Sequence, residues 1–503
     1  MTRQVAVATP SVIAADAAAF AARRGGNAVD VALAAAQVAI NTEPGVCSLA
    51  GGGFVTVWAP GQAPVTFDGN VAVPGRDSQI ATQDGRVASV TMRYGGGVTT
   101  LVGAGSVATP GTLAALYAAW DRFGAGEWRH TIEPAITAAR HGFPLSTACH
   151  YYLTYSGEPI FSRSADSRAA LYAGDRLLAA GDAVHVPHLA ETLAMIAKDG
   201  PDVLYNGAIG ARVLEYVQRH GGSLSLADLS RYEALCRPAL TVPLGAWQVA
   251  TNPPPAVGGA MLAAVLKSTV DKRAPGEPWQ VALRDVLPRV LSFRRDRLDR
   301  SHDLDADSAA LLRGVGIDAS GTSGSTIHVS AVDSDGLGCA ITASSGYGSG
   351  DMPEGTGLWL NNCLGEIDLN RLGLAAGSPG TRLMSNMAPS CARRGDDIIS
   401  IGSPGASRIT TALAQTLLPV LCDGVAISEA INAPRLHIEY AADDFVVAAE
   451  PGVLGLADDG VLWYDGLSMY FGGVGAAWHV DGRTGAAADP RRTGAIYAPT
   501  PSF

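Results

Sequence analysis

From Ile327 the chain runs Ile-His-Val-Ser-Ala-Val-Asp, with β-branched residues at Ile327, Val329 and Val332, and it follows the small, turn-forming residues Gly321, Ser323, Gly324 and Ser325. This pattern predicts a strand over residues 326–333 entered from a flexible linker over 314–325. Further strands are predicted at 54–58, 65–73, around Leu240-Thr241-Val242, and at 338–344, Leu358-Trp359-Leu360 and 398–402. The alanine-rich stretch 11–24 predicts a helix that Ser11 caps and Gly25-Gly26 ends. Asn27 or Asp30 starts the next helix, through Ile40. Others fall at 112–123, 132–140, 189–198, 208–220, 303–312, 407–421 and 427–432, with a short one at 228–232. A helix over 279–297 should break or kink at Pro288. The tail, 446–463 and 477–481, reads as strand pairs. Pattern alone gives a mixed α and β chain without internal repeats.

Composition narrows the function classes. A chain of 503 residues allows two to four domains on length alone. Apolar residues make up 47% and charged residues 17%, which marks a globular chain. The net charge of −11 argues against general nucleic-acid binding. Lys198, Lys267 and Lys272 are the only lysines; arginine carries the remaining positive charge, as coding bias in a GC-rich genome would produce. The seven cysteines are scattered, odd in number and form no CxxC pair, so neither a disulfide framework nor a zinc site is expected. No metal or other cofactor is expected. Gly51-Gly52-Gly53 leads into a strand with no following Lys-Ser/Thr, unlike a phosphate loop. No apolar run reaches the roughly 18 residues of a membrane span. No apolar segment precedes Thr9-Pro10-Ser11, and the expected location is cytoplasmic.

The candidate chemistry lies at Thr326. A Thr at the head of a buried strand, just after a flexible segment, is either an ordinary loop-to-strand residue or a point where the chain cuts itself. A Thr made N-terminal carries a nucleophilic hydroxyl and its own base, an amine with a pKa near ~8. His328 is either a base or a satisfied core histidine, and an N-terminal Thr needs no second base. Cys363 has no His near it in sequence to activate it.

The order of short blocks decides between these readings. Thr326, His328, Ser330, Val332 and Asp333 form a Thr-x-His-x-Ser-x-Val-Asp pattern. Before it come Gly25-Gly26-Asn27-Ala28-Val29-Asp30, Gly51-Gly52-Gly53-Phe54, Pro110-Gly111-Thr112, Gly221-Gly222-Ser223-Leu224 with Asp228-Leu229, then Pro253-Pro254-Pro255 and Gly258-Gly259. After it come Asn361-Asn362, Met387-Ala388-Pro389 and Gly402-Ser403-Pro404-Gly405 with Ser407-Arg408-Ile409. In this order, from about Val5 to His437, the chain resembles the γ-glutamyltransferase family of N-terminal-nucleophile hydrolases. The resemblance implies an α+β fold, a four-layer αββα sandwich. It also implies one composite domain cut into residues 1–325 and 326–503, the two fragments remaining together as a heterodimer that can pair further.

The resemblance also assigns roles. Thr326 becomes the nucleophile and Ser344, where Thr is usual, its neighbouring hydroxyl. Gly405 and Ala406 supply the oxyanion hole, with Ala406 at the usual second Gly. The γ-glutamyl clamp departs from the family. Asn70 occupies the Arg position of an Asp-x-Arg segment, and a family Asn after the Ser344 strand falls near Gly346. The Asn-Asn-Gln motif reads Asn361-Asn362-Cys363. Glu366 replaces an Asp that pairs an amine, and the tandem serines read Ser385-Asn386. Arg408 reads as an anchor of its loop. Asn cannot form the bidentate ion pair of Arg, so transfer from glutathione is not expected. The expected activity is hydrolysis or acyl transfer on a small-molecule amide or related carbonyl compound. One alternative is the C–C bond hydrolysis of family members that act on 4-alkylproline units in actinobacterial antibiotic biosynthesis. Another is an uncut, inactive binding protein.

Overall fold

The computed structural model describes residues 3–77, 87–93, 97–317, 327–441, 444–456 and 459–499. Two antiparallel sheets carry the fold, and we number their strands in chain order: β1 (Val5–Thr9), β2 (Gly52–Trp58), β3 (Val65–Gly69), β4 (Leu235–Pro238), β5 (Leu240–Leu244), β6 (Trp247–Thr251), β7 (Ile327–Asp333), β8 (Gly338–Ser344), β9 (Ser390–Arg394), β10 (Asp397–Gly402), β11 (Gly475–Val480), β12 (Arg483–Ala488) and β13 (Ala495–Tyr497). The first sheet has the order β4-β3-β2-β8-β7-β1-β13 and the second β5-β6-β9-β10-β11-β12.

Every residue of β7 is buried, because both its faces are covered. One face meets α2 (Ala28–Thr42); the other meets β10 and β11 of the second sheet. A strand covered on both sides reads as a continuous buried run, not an alternation. All fifteen residues of α2 are buried too. Its alanines let α1 (Val12–Arg23) pack closely on it, together with the helix Trp128–His141. Beyond the second sheet lie α3 (Val257–Lys272), α4 (Trp279–Asp296) and α5 (Arg408–Asp423), with α3 packed on both of the others. The layers are helix, sheet, sheet, helix, and the αββα sandwich is the observed fold.

The Thr-x-His-x-Ser-x-Val-Asp motif shows why its described residues are needed. Asp333 accepts the N–H of Ala28 through Oδ2 (3.0 Å), and through Oδ1 it accepts those of Asp335 and Leu337 (3.1 Å each). It ties the end of β7 to the start of α2. Ser330 donates to the carbonyl of Gly475 at 3.1 Å, joining the two sheets.

Some sequence expectations need correction. Ser11 stands at the N-cap of α1, but its hydroxyl makes no capping bond. Asn27 does cap α2, in a capping box with Asp30. Leu358-Trp359-Leu360 is an extended arm, not a strand. Its polar groups are taken by a neighbouring loop: Leu360 N–H donates to Asp351 O (2.9 Å), and Ser349 N–H donates to Leu360 O (3.0 Å). β3 ends at Gly69, short of the expected 73. The helix through Pro288 continues to Asp296.

Behind the second sheet lies a fully buried ion network. Asp489 pairs with Arg435 at 2.7 Å and Arg491 at 3.1 Å, and Arg491 also donates to Glu450. Arg435 further donates to Phe471 O at 3.2 Å, which fixes the turn at Gly472-Gly473. Asp489→Asn strips a negative charge from between two buried guanidiniums. It should lower the unfolding free energy by about 3–5 kcal/mol. Urea denaturation measures this; a loss below about 1 kcal/mol would mean that water or another group already compensates the arginines.

Candidate active site

The head of β7, the end of β8 and the end of β10 meet at one end of the two sheets. Ile327 pairs with Ala343, so Ser344 is the next residue along β8. Gly402 closes β10 directly against His328: a Cβ there would stand 2.2 Å from the imidazole Cε1. Thr326, the expected nucleophile, lies outside the described residues; it is the residue before Ile327 in the chain.

His328 is a satisfied core residue. Its Nδ1 bonds the hydroxyl of Thr342 (2.9 Å) and its Nε2 that of Ser330 (2.6 Å). Burial pushes the imidazole down to about 3, so it is neutral at any ordinary pH.

After β10 the chain turns through Ser403-Pro404-Gly405-Ala406-Ser407 into α5. Gly405 has φ +131° and Ala406 φ +52°, so Ala406 does take a left-handed conformation. For an L-residue this costs on the order of 1 kcal/mol. Among the described residues, neither amide donates to an acceptor, while the carbonyls of both receive N–H groups of α5, from Arg408 (2.9 Å) and Ile409 (3.3 Å). Two free amides beside a helix N-terminus suit a developing oxyanion. The Gly472 turn backs this loop, with Ser403 Oγ accepting the N–H of Gly473 at 3.1 Å. Arg408 anchors the loop, lying 4.3 Å over the ring of Tyr470 and 3.2 Å from Glu439.

Four of the expected ligands and the expected catalytic hydroxyl of Ser344 line one narrow cleft. Asn70, Ser344, Cys363, Glu366 and Ser385 share it with Val71, Leu369, Met384 and Met387. Gly405 and Ala406 are not part of that lining. Nor is Asn386, whose Oδ1 accepts a bond from Arg294 at 2.6 Å. Asn70 donates through Nδ2 to the carbonyl of Leu383 (2.7 Å), so its amide stitches β3 to the Ser385 segment. Ser344 Oγ accepts the N–H of Gly346 at 2.9 Å. Asn361 and Asn362 are buried and fully engaged with backbone and hydroxyl groups. Burial and the neighbouring Glu366 push the Cys363 thiol well up, which removes it as a thiolate nucleophile. Burial, with the charge of Asp368, pushes the Glu366 carboxyl up to about 8.

Sequence reasoning did not single out Arg382. Its side chain is 9% exposed, lies 4.2 Å over the ring of Tyr232 and reaches Asp68 at 3.5 Å. Arg237 holds the same carboxylate at 3.0 Å. Arg382 lines a cavity of about 720 Å³ that meets the cleft at Met384. The signal available was its place three residues before Ser385. Among the described residues, no group of three or more His, Cys, Asp or Glu side chains is placed to hold a metal ion. None of the described helices is long and apolar enough to cross a membrane.

The family model for gamma-glutamyltranspeptidase matches residues 14–284 and 270–498, together nearly the whole chain. The chain belongs to the γ-glutamyltranspeptidase family. Within that family it is 27% identical over 472 residues to the glutathione hydrolase proenzyme of Escherichia coli, covering 84% of this chain and 79% of the other. It is 26% identical over 447 residues to the acylase ACY 1 proenzyme of Pseudomonas sp. strain V22, covering 82% and 79%. The crystal structure of cephalosporin acylase from Bacillus halodurans superposes with a TM-score of 0.78 at 20% identity, over 100% of this chain and 97% of that one. This γ-glutamyltranspeptidase-family chain is therefore an enzyme of the N-terminal-nucleophile hydrolase class.

Proposed function

We propose that the enzyme cuts itself between Ser325 and Thr326, and that Thr326 then acts through an acyl-enzyme on a small-molecule amide or related carbonyl compound. The observation that carries this reading is that Ser344, with the cleft it lines, and the end of β10 that leads into Gly405 and Ala406 lie at the end of the sheets where β7 begins. In maturation the Thr326 hydroxyl attacks the Ser325 carbonyl, the peptide becomes an ester, and water releases residues 1–325. The amine left on Thr326 then accepts the hydroxyl proton as Oγ attacks the substrate carbonyl. The Gly405 and Ala406 amides hold the oxyanion. The leaving group departs with the proton, and water hydrolyses the ester.

Among the described residues the cleft offers no cation for an amino-acid carboxylate, which supports a substrate other than ordinary glutathione. The same feature favours a second reading, C–C bond hydrolysis next to a carbonyl, as in antibiotic biosynthesis, where a carbanion replaces the amine as leaving group. Seven free thiols, two of them exposed, suit a reducing, cytoplasmic setting. N-terminal sequencing of the purified protein tests the central claim. It should find Thr326 at the head of a second fragment that stays with the first under native conditions. An active protein made only of intact chain would overturn it.

A further inference from the structure

Among the described residues Glu366 is the one carboxyl in the cleft, and none of those lining it is a cation that could pair with it. Its residue is 6% exposed. The thiol of Cys363 bonds to it, and Asp368 on the same loop repels its charge. Across from that loop stands Tyr347, which gives its own hydroxyl to Asp368 at 3.0 Å. These three are the titratable groups around it among the described residues, and none is cationic. The amine freed at Thr326 is neutral when it acts as the base and becomes cationic only as Oγ attacks, at the acyl carbon and not at the head.

The cleft is also shaped around this carboxyl. Gly346, at φ +68°, packs so closely that a Cβ would stand 2.8 Å from Glu366 Oε2 and 2.5 Å from Asn362 Oδ1. In the same lining the hydroxyl of Ser385 is buried and has no hydrogen-bond partner among the described residues. Val71, Leu369, Met384 and Met387 make most of the remainder apolar beside Ser344 and Cys363, and Asn70 has committed one of its two amide hydrogens to Leu383. A buried orphan hydroxyl and an acid without a counter-ion, set among apolar groups, are matched by a neutral oxygen acceptor and not by a charge.

We propose that this cleft takes an uncharged acyl head bearing a carbonyl oxygen, with the protonated carboxyl of Glu366 and the hydroxyl of Ser385 as its hydrogen-bond donors. This rests on the reading of the cleft as the acyl site of Thr326, and it replaces the pairing of Glu366 with a substrate amine. The position of the carboxyl, pushed up to about 8, keeps the donor hydrogen in place at neutral pH.

Two acids that differ only in the head test it. 5-Oxohexanoate ends in a methyl ketone; L-glutamate ends in an ammonium and a carboxylate. Calorimetry on the purified enzyme should show 5-oxohexanoate binding at least about tenfold more tightly. Its affinity should fall as pH rises from 7 to 9, since Glu366 ionises while the ligand does not. Glu366→Gln keeps a donor and cannot ionise, so it should bind 5-oxohexanoate within about threefold of wild type at pH 7 and show a clearly smaller fall, the part left being that of the Thr326 amine, which both proteins share. Tighter binding of L-glutamate, collapse of 5-oxohexanoate binding in Glu366→Gln, or no binding of either acid would overturn the proposal. Failure of the underlying reading shows differently: the head preference would be present, but no acyl p-nitroanilide would be cleaved.

Discussion

Thr326→Ala should yield a folded, uncut chain without turnover. Removing one hydroxyl spares what holds β7 in place: the ladders to β8 and β1, the Ser330 bond across the sheets and the Asp333 clasp on α2. It removes the atom that would attack both Ser325 and the substrate. Denaturing electrophoresis should show one band near 51.6 kDa for the variant. The wild type should show fragments of 325 and 503 − 325 = 178 residues. Activity should fall by at least about 10⁴-fold, the scale of losing a nucleophile. Circular dichroism separates inactivity from misfolding. A cut variant, or one that keeps a tenth of the activity, would place the nucleophile elsewhere.

The second large effect concerns substrate. γ-Glutamyl-p-nitroanilide should be turned over two to four orders of magnitude more slowly than an ordinary member of the family manages. A charged hydrogen-bonding partner lost at Asn70 and an amide lost at Cys363 cost about 1.5–3 kcal/mol each. Among the described residues the cleft supplies no substitute cation, since Arg382 lines the larger cavity and is held to Asp68. Asn70→Arg, alone or with Cys363→Gln, should raise γ-glutamyl hydrolysis. The new Arg must give up the bond to the Leu383 carbonyl, so the double variant is the fairer measurement. Ordinary turnover by the wild type, or no gain in either variant, would remove Asn70 from the clamp position.

Much of this was legible in the sequence, because the motif around Thr326 mixes local and long-range constraints in a few residues. His328, Ser330 and Asp333 must each be what they are to bond across strands, across sheets and to a helix end. The helix Val257–Lys272 was not foreseen. It is buried on most sides, so it has no amphipathic stripe, and Gly258-Gly259 at its start reads as a breaker. Those glycines answer to packing: a Cβ at Gly258 would meet the carbonyl of Asn386 at 2.4 Å. The arm at Leu358-Trp359-Leu360 has strand-like residues but finds its partners in a loop. Asn386 was expected beside Ser385 in the cleft. Only the fold reveals Arg294, 92 positions earlier in the chain, drawing it away.

The interleaving of the first sheet sets a condition on recovery from denaturation. Its order β4-β3-β2-β8-β7-β1-β13 passes from strands before residue 325 to strands after it, back to β1, and forward again to β13. In the second sheet the pairing of β6 with β9 also crosses that division. An uncut chain forms these ladders in a first-order process, indifferent to dilution. Once severed, the same ladders join two molecules, and reassembly becomes second order. The proposed cleavage would thus turn a chain that refolds as one molecule into one whose return depends on meeting its other half.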